Sequence, residues 1–276
     1  MNVLELKNVS KNYKTFKLDN VSFEIPQGCV MGVIGENGAG KSTVIKLILD
    51  MISRDSGEIE IFGNSDIQSA KSQLGVVLEE AGYPPYFTAA HVNKIMSKTF
   101  EEWNEEHYFG YLSKFGIDIK KKFKEMSRGT KMKFAIAAAI SHNAKLLILD
   151  EATGGLDPII RDEILDILYD YVADGEKSIL MSSHIISDLE KICDYITFIH
   201  NGKIIFSEEK DLMTEKYGIL RCDPEFADSY PQNAILGMKR TPLGCELLLD
   251  RSLISSEIKT ERASIESIML LMSRNH

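Results

Sequence analysis

Gly35-Glu36-Asn37-Gly38-Ala39-Gly40-Lys41-Ser42 follows a continuously apolar run, Cys29–Ile34, and precedes a segment with apolar residues at Val44, Ile45, Leu47, Ile48 and Met51. The run reads as a strand buried on both faces, and the later spacing predicts a helix over 41–51. The eight residues between fit G-x-x-x-x-G-K-[ST], in the strand–loop–helix context that this pattern needs. Glycine here allows successive backbone N–H groups to turn inward around phosphate oxygens without Cβ clashes, and the helix N-terminus adds its dipole. Gly35, Asn37, Gly38, Ala39, Gly40, Lys41, Ser42 and Thr43 are therefore the expected contacts of a nucleoside triphosphate. Lys41 reaches the β- and γ-phosphates, and the Ser42 hydroxyl holds Mg²⁺.

On either side the chain alternates. Leu4–Val9, Leu18–Ile25 and Glu58–Phe62 have the period of half-buried strands, and Gly75–Leu78 reads as another strand. From Pro84-Pro85 to Ile140 the texture becomes helical: Thr88 is placed to cap a helix running to Phe100, and a second covers Glu105–Phe115. Strand and helix then alternate again, with strands at Lys145–Leu149 and Ser178–Met181 and helices at Pro158–Val172 and Ile185–Ile192. Tyr195–His200 and Lys203–Ser207 flank the turn Asn201-Gly202.

A parallel α/β core interrupted by a helical insert is the expected fold. After Glu208 the rhythm is lost. Ile219-Leu220, Ala234–Leu236 and Glu246–Leu249 read as short strands and Ser264–Met272 as a helix, so residues 209–276 form a small α+β appendage.

Leu146-Leu147-Ile148-Leu149 ends in Asp150-Glu151. A buried strand terminating in acids places them at the C-terminal edge of a parallel sheet, where ligands bind. Asp150 is expected in the metal shell beside Ser42. Glu151 points elsewhere and is placed to take a proton from an attacking water.

Together these elements resemble the ATP-binding-cassette (ABC) ATPases over roughly Val3 to Glu208. The resemblance implies a P-loop NTPase core, a mixed sheet with helices on both faces. It adds an antiparallel β subdomain and an inserted helical subdomain over about 84–140, the ATPase domain spanning 1–208. It implies ATP and Mg²⁺ as cofactors, Tyr13 as the aromatic that stacks on adenine, and Gly154-Gly155-Leu156-Asp157 as a loop crossing between subunits. His184, after Ser182-Ser183, is implied as the histidine contacting the γ-phosphate; with Glu151 and Lys41 it makes the expected catalytic set.

Two segments depart from the family pattern. The signature L-S-G-G-Q stands here as Met126-Ser127-Arg128-Gly129-Thr130, resembling exporter ATPases of the antibiotic-resistance and ABC-2 type. Ser127 and Gly129 are retained, at the start of a helix expected over 129–140, where they would face ATP held by a second subunit. The usual glutamine after Gly75–Leu78 is replaced by Glu79, whose carboxylate binds a hard cation at least as well as an amide.

The chain has 276 residues, Lys+Arg 32 against Asp+Glu 41, and a formal net charge of −9. That balance argues against a protein that mainly holds nucleic-acid backbone, so no nucleic-acid partner is expected. No apolar run exceeds seven residues, far short of the ~18 of a membrane span. There is no basic-then-apolar leader at the start. Four scattered cysteines, Cys29, Cys193, Cys222 and Cys245, suggest free thiols in a reducing compartment. A basic run holds Lys120, Lys121, Lys122, Lys124, Arg128, Lys131 and Lys133 against Glu125 alone, and reads as a solvated face or as a surface for anionic lipid or an acidic partner.

The resemblance then implies a cytoplasmic ATPase subunit, peripheral on the inner face of the membrane. It would act as a homodimer or heterodimer on a separate transmembrane permease to export a peptide, antibiotic or lipid-like substrate. An importer ATPase is the alternative, and a soluble ABC ATPase of DNA repair or translation a more distant one.

Overall fold

A strand whose every residue is apolar must be covered on both faces, and all five residues of Val30–Ile34 are buried. The computed structural model describes residues 1–79, 82–242, 244–255 and 258–274. It begins with two long strands, β1 (Asn2–Asn12) and β2 (Lys17–Pro26), followed by β3 (Val30–Ile34) and helix α1 (Lys41–Ile48). Next come β4 (Ser56–Ile61), a single helical turn α2 (Ile67–Ala70) capped by Asp66, and β5 (Leu74–Val77). Alternation in β2 sends Leu18, Val21, Phe23 and Ile25 inward, and the strand pairs antiparallel with β1, which pairs antiparallel with β4.

The helical insert holds α3 (Ala89–Thr99), α4 (Glu105–Lys114) and α5 (Arg128–Ile140). Tyr108, Leu112, Phe123 and Phe134 build its own small core. The α/β rhythm resumes with β6 (Leu146–Asp150), α6 (Pro158–Val172), β7 (Ser178–Ser183), α7 (Ile186–Ile192), β8 (Tyr195–His200) and β9 (Lys203–Glu209). Pro158 at the first position of α6 and Asp157, accepting from the Ile160 N–H, start that helix sharply.

Among the described residues the core sheet has the order β5-β6-β7-β3-β8-β9. All neighbours are parallel except β8 and β9, joined by the Asn201-Gly202 turn. One apolar cluster fills the side facing the β1–β2–β4 sheet and α1, and a second fills the side facing α5, α6 and α7. In register, Ile34 lies opposite Ser183 and Asp150 opposite Ser182. The loops leaving β3, β6 and β7 therefore emerge side by side at one sheet edge, and that edge carries the site.

The C-terminal part contains α8 (Lys210–Lys216), β10 (Tyr217–Cys222), α9 (Pro224–Ser229), β11 (Ile235–Thr241), β12 (Gly244–Asp250), β13 (Glu261–Arg262) and α10 (Ile265–Met272). Its sheet order is β11-β12-β10-β13. The three strands and one helix read from sequence are present, and the short helices α8 and α9 are additions. This part is not separate in packing. Met213, Tyr217, Ile265, Ile268 and Leu271 share a continuous core with Leu189, Ile192, Ile196 and Phe206 of the ATPase part.

Candidate active site

The loop after β3 is shaped by two close approaches. A Cβ on Gly35 would lie 2.3 Å from the Ile199 carbonyl oxygen, so the chain can pass β8 there only without a side chain. Gly40, at φ 118, caps α1 without a side-chain hydrogen bond, leaving the first N–H groups of the helix to an external acceptor. Lys41 is 5% exposed; its Nζ donates to the carbonyl oxygens of Gly35 at 2.8 Å and Glu36 at 3.3 Å. The ammonium thus lies along the loop.

Adjacent carboxylates do different work because the backbone turns between them. Asp150 ends β6 in extended geometry, and its Oδ1 accepts from Ser182 Oγ at 2.6 Å and Ser42 Oγ at 3.2 Å. Glu151 has φ 51, a left-handed conformation that costs a non-glycine residue free energy and persists where the surroundings enforce it. They do so here: its N–H donates to Ser182 Oγ at 3.0 Å, and its carbonyl accepts from the Gly154 N–H at 3.0 Å. The kink swings the carboxylate away from Asp150 and into the cleft. There Oε2 lies 2.6 Å from His184 Nδ1 and Oε1 lies 3.2 Å from Lys41 Nζ.

These groups line a cleft of about 550 Å³. Asn37, Gly38, Gly40, Lys41, Ser42, Thr43, Glu79, Glu151 and His184, all expected from sequence, are on its wall. A Cβ at Gly38 would meet nothing within 4 Å, so the cradle is open on that side. The cleft combines a cation, uncapped helix N–H groups and a carboxylate held by a histidine, which suits a triphosphate and a water attacking it. Ser42 and Asp150 offer hard oxygen donors of the kind Mg²⁺ takes, and Glu79 lines the same cleft. Among the described residues no group of three or more His, Cys, Asp or Glu side chains could hold a metal alone. A cation here would complete its shell from phosphate and water.

Residues 18–154 match the ABC transporter family model. The chain is 37% identical over 214 residues to the lantibiotic transport ATP-binding protein SrtF of Streptococcus pyogenes, covering 76% of this chain and 92% of that one. It is 32% identical over 209 residues to the bacitracin transport ATP-binding protein BcrA of Bacillus licheniformis, covering 74% and 68% respectively. A solved ATP-binding subunit of an ABC transporter superposes with TM-score 0.70 at 26% identity, covering 77% of this chain and 92% of that one. The chain belongs to the ABC transporter ATP-binding family. It is an ATPase.

In this ABC ATPase the signature segment is built as a helix start. Ser127 Oγ accepts from the Thr130 N–H at 3.2 Å, beginning α5 one residue before the expected Gly129. Gly129 is buried against α6; a Cβ there would meet Ile160 Cγ2 at 2.8 Å. Ser127 and Gly129 do not line the cleft formed by their own chain, whereas Arg128 between them does, close against Gly155. Gly35, Ala39 and Asp150 are not among the residues lining the cleft; Asp150 reaches it through the Ser42 hydroxyl at 3.2 Å.

Tyr13 also lies outside the lining. It is 46% exposed, with Lys11 Nζ 5.9 Å from its ring centroid. Phe16, at the other end of the β1–β2 turn, stands on the wall and packs over Gly40. Sequence reading missed it, and its signal was an aromatic three residues past Tyr13 in a turn closed by the Tyr13 N–H on the Phe16 carbonyl at 2.8 Å.

Proposed function

We propose that this chain is the ATP-hydrolysing subunit of an exporter for a peptide, antibiotic or lipid-like molecule, working in pairs on a separate membrane-spanning permease. The observation that carries the hydrolytic part is the Glu151 carboxylate shared between His184 and Lys41 in the phosphate-loop cleft. In this reading Glu151 takes the proton of the attacking water, His184 orients it and contacts the γ-phosphate, and Lys41 supports the phosphate charge. Ser42, Asp150 and Glu79 would hold Mg²⁺, which would supply charge neutralisation at the phosphates.

Ser127 and Gly129 do not line the cleft of their own chain, which fits completion of a site by a second copy or a sister ATPase. Among the described residues no helix is long and apolar enough to cross a membrane, and we assign the pathway to another chain. Its cytoplasmic helices would seat in the groove between β5 and the helical insert. That groove is lined by Val76, Tyr83, Met96 and Phe100. Contact there would hold the ATPase peripherally at the membrane's inner face. The names of SrtF, a lantibiotic transport ATP-binding protein, and BcrA, a bacitracin transport ATP-binding protein, support the substrate class.

The test is transport by the ATPase–permease complex in inside-out membrane vesicles. ATP-dependent accumulation of a lantibiotic-type peptide inside the vesicles is expected. Accumulation only in right-side-out vesicles supplied with internal ATP makes it an importer, and co-purification with ribosomes or DNA instead of a membrane protein removes the transport reading.

A further inference from the structure

Behind Glu151 and His184 lies a group of buried polar side chains that the hydrolytic site does not use. Among the described residues seven buried side-chain polar atoms have no hydrogen-bond partner; setting aside Glu151 Oε1, which lies 3.2 Å from Lys41 Nζ, three of them belong to Thr153, Arg161 and Asp188. Buried polar groups are ordinarily satisfied, so their concentration at one spot singles it out. Thr153 is fully buried in the loop after Glu151, and Asp188 is 2% exposed in the first turn of α7.

Arg161, from α6, touches both elements. Its Nη2 donates to the Leu156 carbonyl at 3.3 Å, and its Nη1 lies 3.9 Å from Asp188 Oδ1. Burial raises the Asp188 pKa. Thr153, Arg161, His184 and Lys191 act in the opposite direction, Thr153 by facing the carboxylate closely though without hydrogen-bond geometry. Lys191 of α7 also pairs with Asp162 at 2.6 Å and Asp166 at 2.8 Å on α6. Those pairs are exposed, and exposed ion pairs hold geometry weakly. Beside the apolar packing of Leu189 and Ile192, the Arg161–Asp188 contact, with side chains 26% and 2% exposed, is the polar tie better shielded from water.

Chain connectivity gives that contact its consequence. Helix α7 begins two residues after His184, and Thr153 and Leu156 sit in the loop that begins at Glu151. We propose that Asp188 is a positioning residue of the ATPase: held by Arg161 and set against Thr153, it fixes α7 on the 151–157 loop and so keeps His184 on the Glu151 carboxylate during turnover. The proposal rests on the role assigned to Glu151 above. Asp188 touches no reacting atom. It acts through His184 and Glu151.

The experiment compares Asp188→Asn, Arg161→Met and the double variant with the parent protein. It reads steady-state ATP hydrolysis, nucleotide affinity from a fluorescent ATP analogue, and thermal melting. Asp188→Asn and Arg161→Met should each lower kcat about tenfold while nucleotide affinity stays within about twofold, because misplacing a catalytic group costs rate rather than ground-state binding. The double variant should be no worse than the more impaired single one, as for residues acting as a unit. Parental kcat in both single variants overturns the proposal, as does a loss of kcat, affinity and melting temperature together, or additive effects in the double variant. Glu151→Gln is run alongside. If it keeps full turnover, the assignment of Glu151 fails; if it is inactive while both single variants are fully active, only the positioning role fails.

Discussion

His184 Nδ1 lies 2.6 Å from Glu151 Oε2, although the two residues are 33 positions apart and sit on loops from different strands. Parallel pairing of β6 with β7 sets the two loops side by side, and the φ 51 kink at Glu151 turns the carboxylate toward the histidine. With Lys41 on its other oxygen, Glu151 is held from both sides and faces the cleft. Glu151→Gln keeps the shape but removes the base. ATP binding should be retained, turnover should fall roughly 10²-fold or more, and the ATP-bound dimer should accumulate in size-exclusion chromatography. His184→Ala should depress kcat with little effect on nucleotide affinity, and a change confined to affinity would contradict the orienting role.

Phe16 and Tyr13 compete for the role of the adenine-stacking residue, and the cleft favours Phe16. An aromatic face stacked on a base contributes about 1–3 kcal/mol by alanine substitution. Phe16→Ala should therefore weaken ATP binding by roughly tenfold, while Tyr13→Ala, which removes an exposed ring beside Lys11, should change it less than about twofold. Isothermal titration with a non-hydrolysable ATP analogue separates the two. The reverse order restores Tyr13.

Glu79 stands where the family usually has glutamine, on the wall of the cleft that Ser42 also lines. Affinity for a hard cation depends on the charge of its oxygen ligands. Glu79→Gln should raise the Mg²⁺ concentration needed for half-maximal hydrolysis severalfold while leaving Mg²⁺-free nucleotide binding unchanged. A Mg²⁺ titration superimposable on the parent's removes Glu79 from the metal site.

Most of this arrangement is legible in the residues because it is local. The apolar run before Gly35, the run before Asp150 and the Asn201-Gly202 turn each declare their own conformation, and parallel pairing then brings the ends of β3, β6 and β7 to one edge. What was not legible depends on chain separated by folding. Tyr13 and Phe16 are equally plausible until the β1–β2 turn is closed and only one ring faces the loop. Asp188, Arg161 and Thr153 carry no spacing signal, since three elements must pack before they meet. Helices α8 and α9 have six or seven residues each, too short to show a periodic apolar face.

His142 offers a stability test that leaves the cleft untouched. It is 4% exposed, its ring stacks on Phe100 with centroids 3.9 Å apart, and its Nε2 lies 3.0 Å from the Leu74 carbonyl oxygen. Burial, the largest influence, holds its pKa below the ordinary value. The unfolded chain therefore takes up this proton first as pH falls. The neutral histidine's contribution is complete above about pH 6.5 and is lost progressively as pH drops from there toward the folded-state pKa, at no more than ~1.4 kcal/mol per pH unit. His142→Gln removes the titration and keeps a donor for the Leu74 carbonyl. Urea unfolding of both proteins between pH 7.5 and pH 5 should show a shallower decline for the variant; parallel curves would mean that His142 takes up its proton equally in the folded and unfolded states.

The C-terminal part is the remaining question of architecture, and its packing makes a definite prediction. Leu189, Ile192, Ile196 and Phe206 belong to the ATPase part, yet they share one apolar cluster with Met213, Tyr217, Ile265, Ile268 and Leu271. Ending the chain at Glu208 leaves the first four without cover. At ~1.5–3 kcal/mol for each large apolar side chain returned to water, the loss is comparable to the whole stability of a typical domain. Part of that loss is offset by the conformational entropy of the 68 residues that no longer need ordering (276 − 208). The exposed strip on α7 and β8 has no such offset against self-association. The truncated chain should collect in the insoluble fraction, and any soluble portion should melt well below the full chain. Replacing Leu189 and Phe206 with polar residues should recover solubility without recovering turnover, because α7 also sets His184. A truncated protein that is monodisperse and hydrolyses ATP at the full-length rate would show instead that the appendage is dispensable for the cassette.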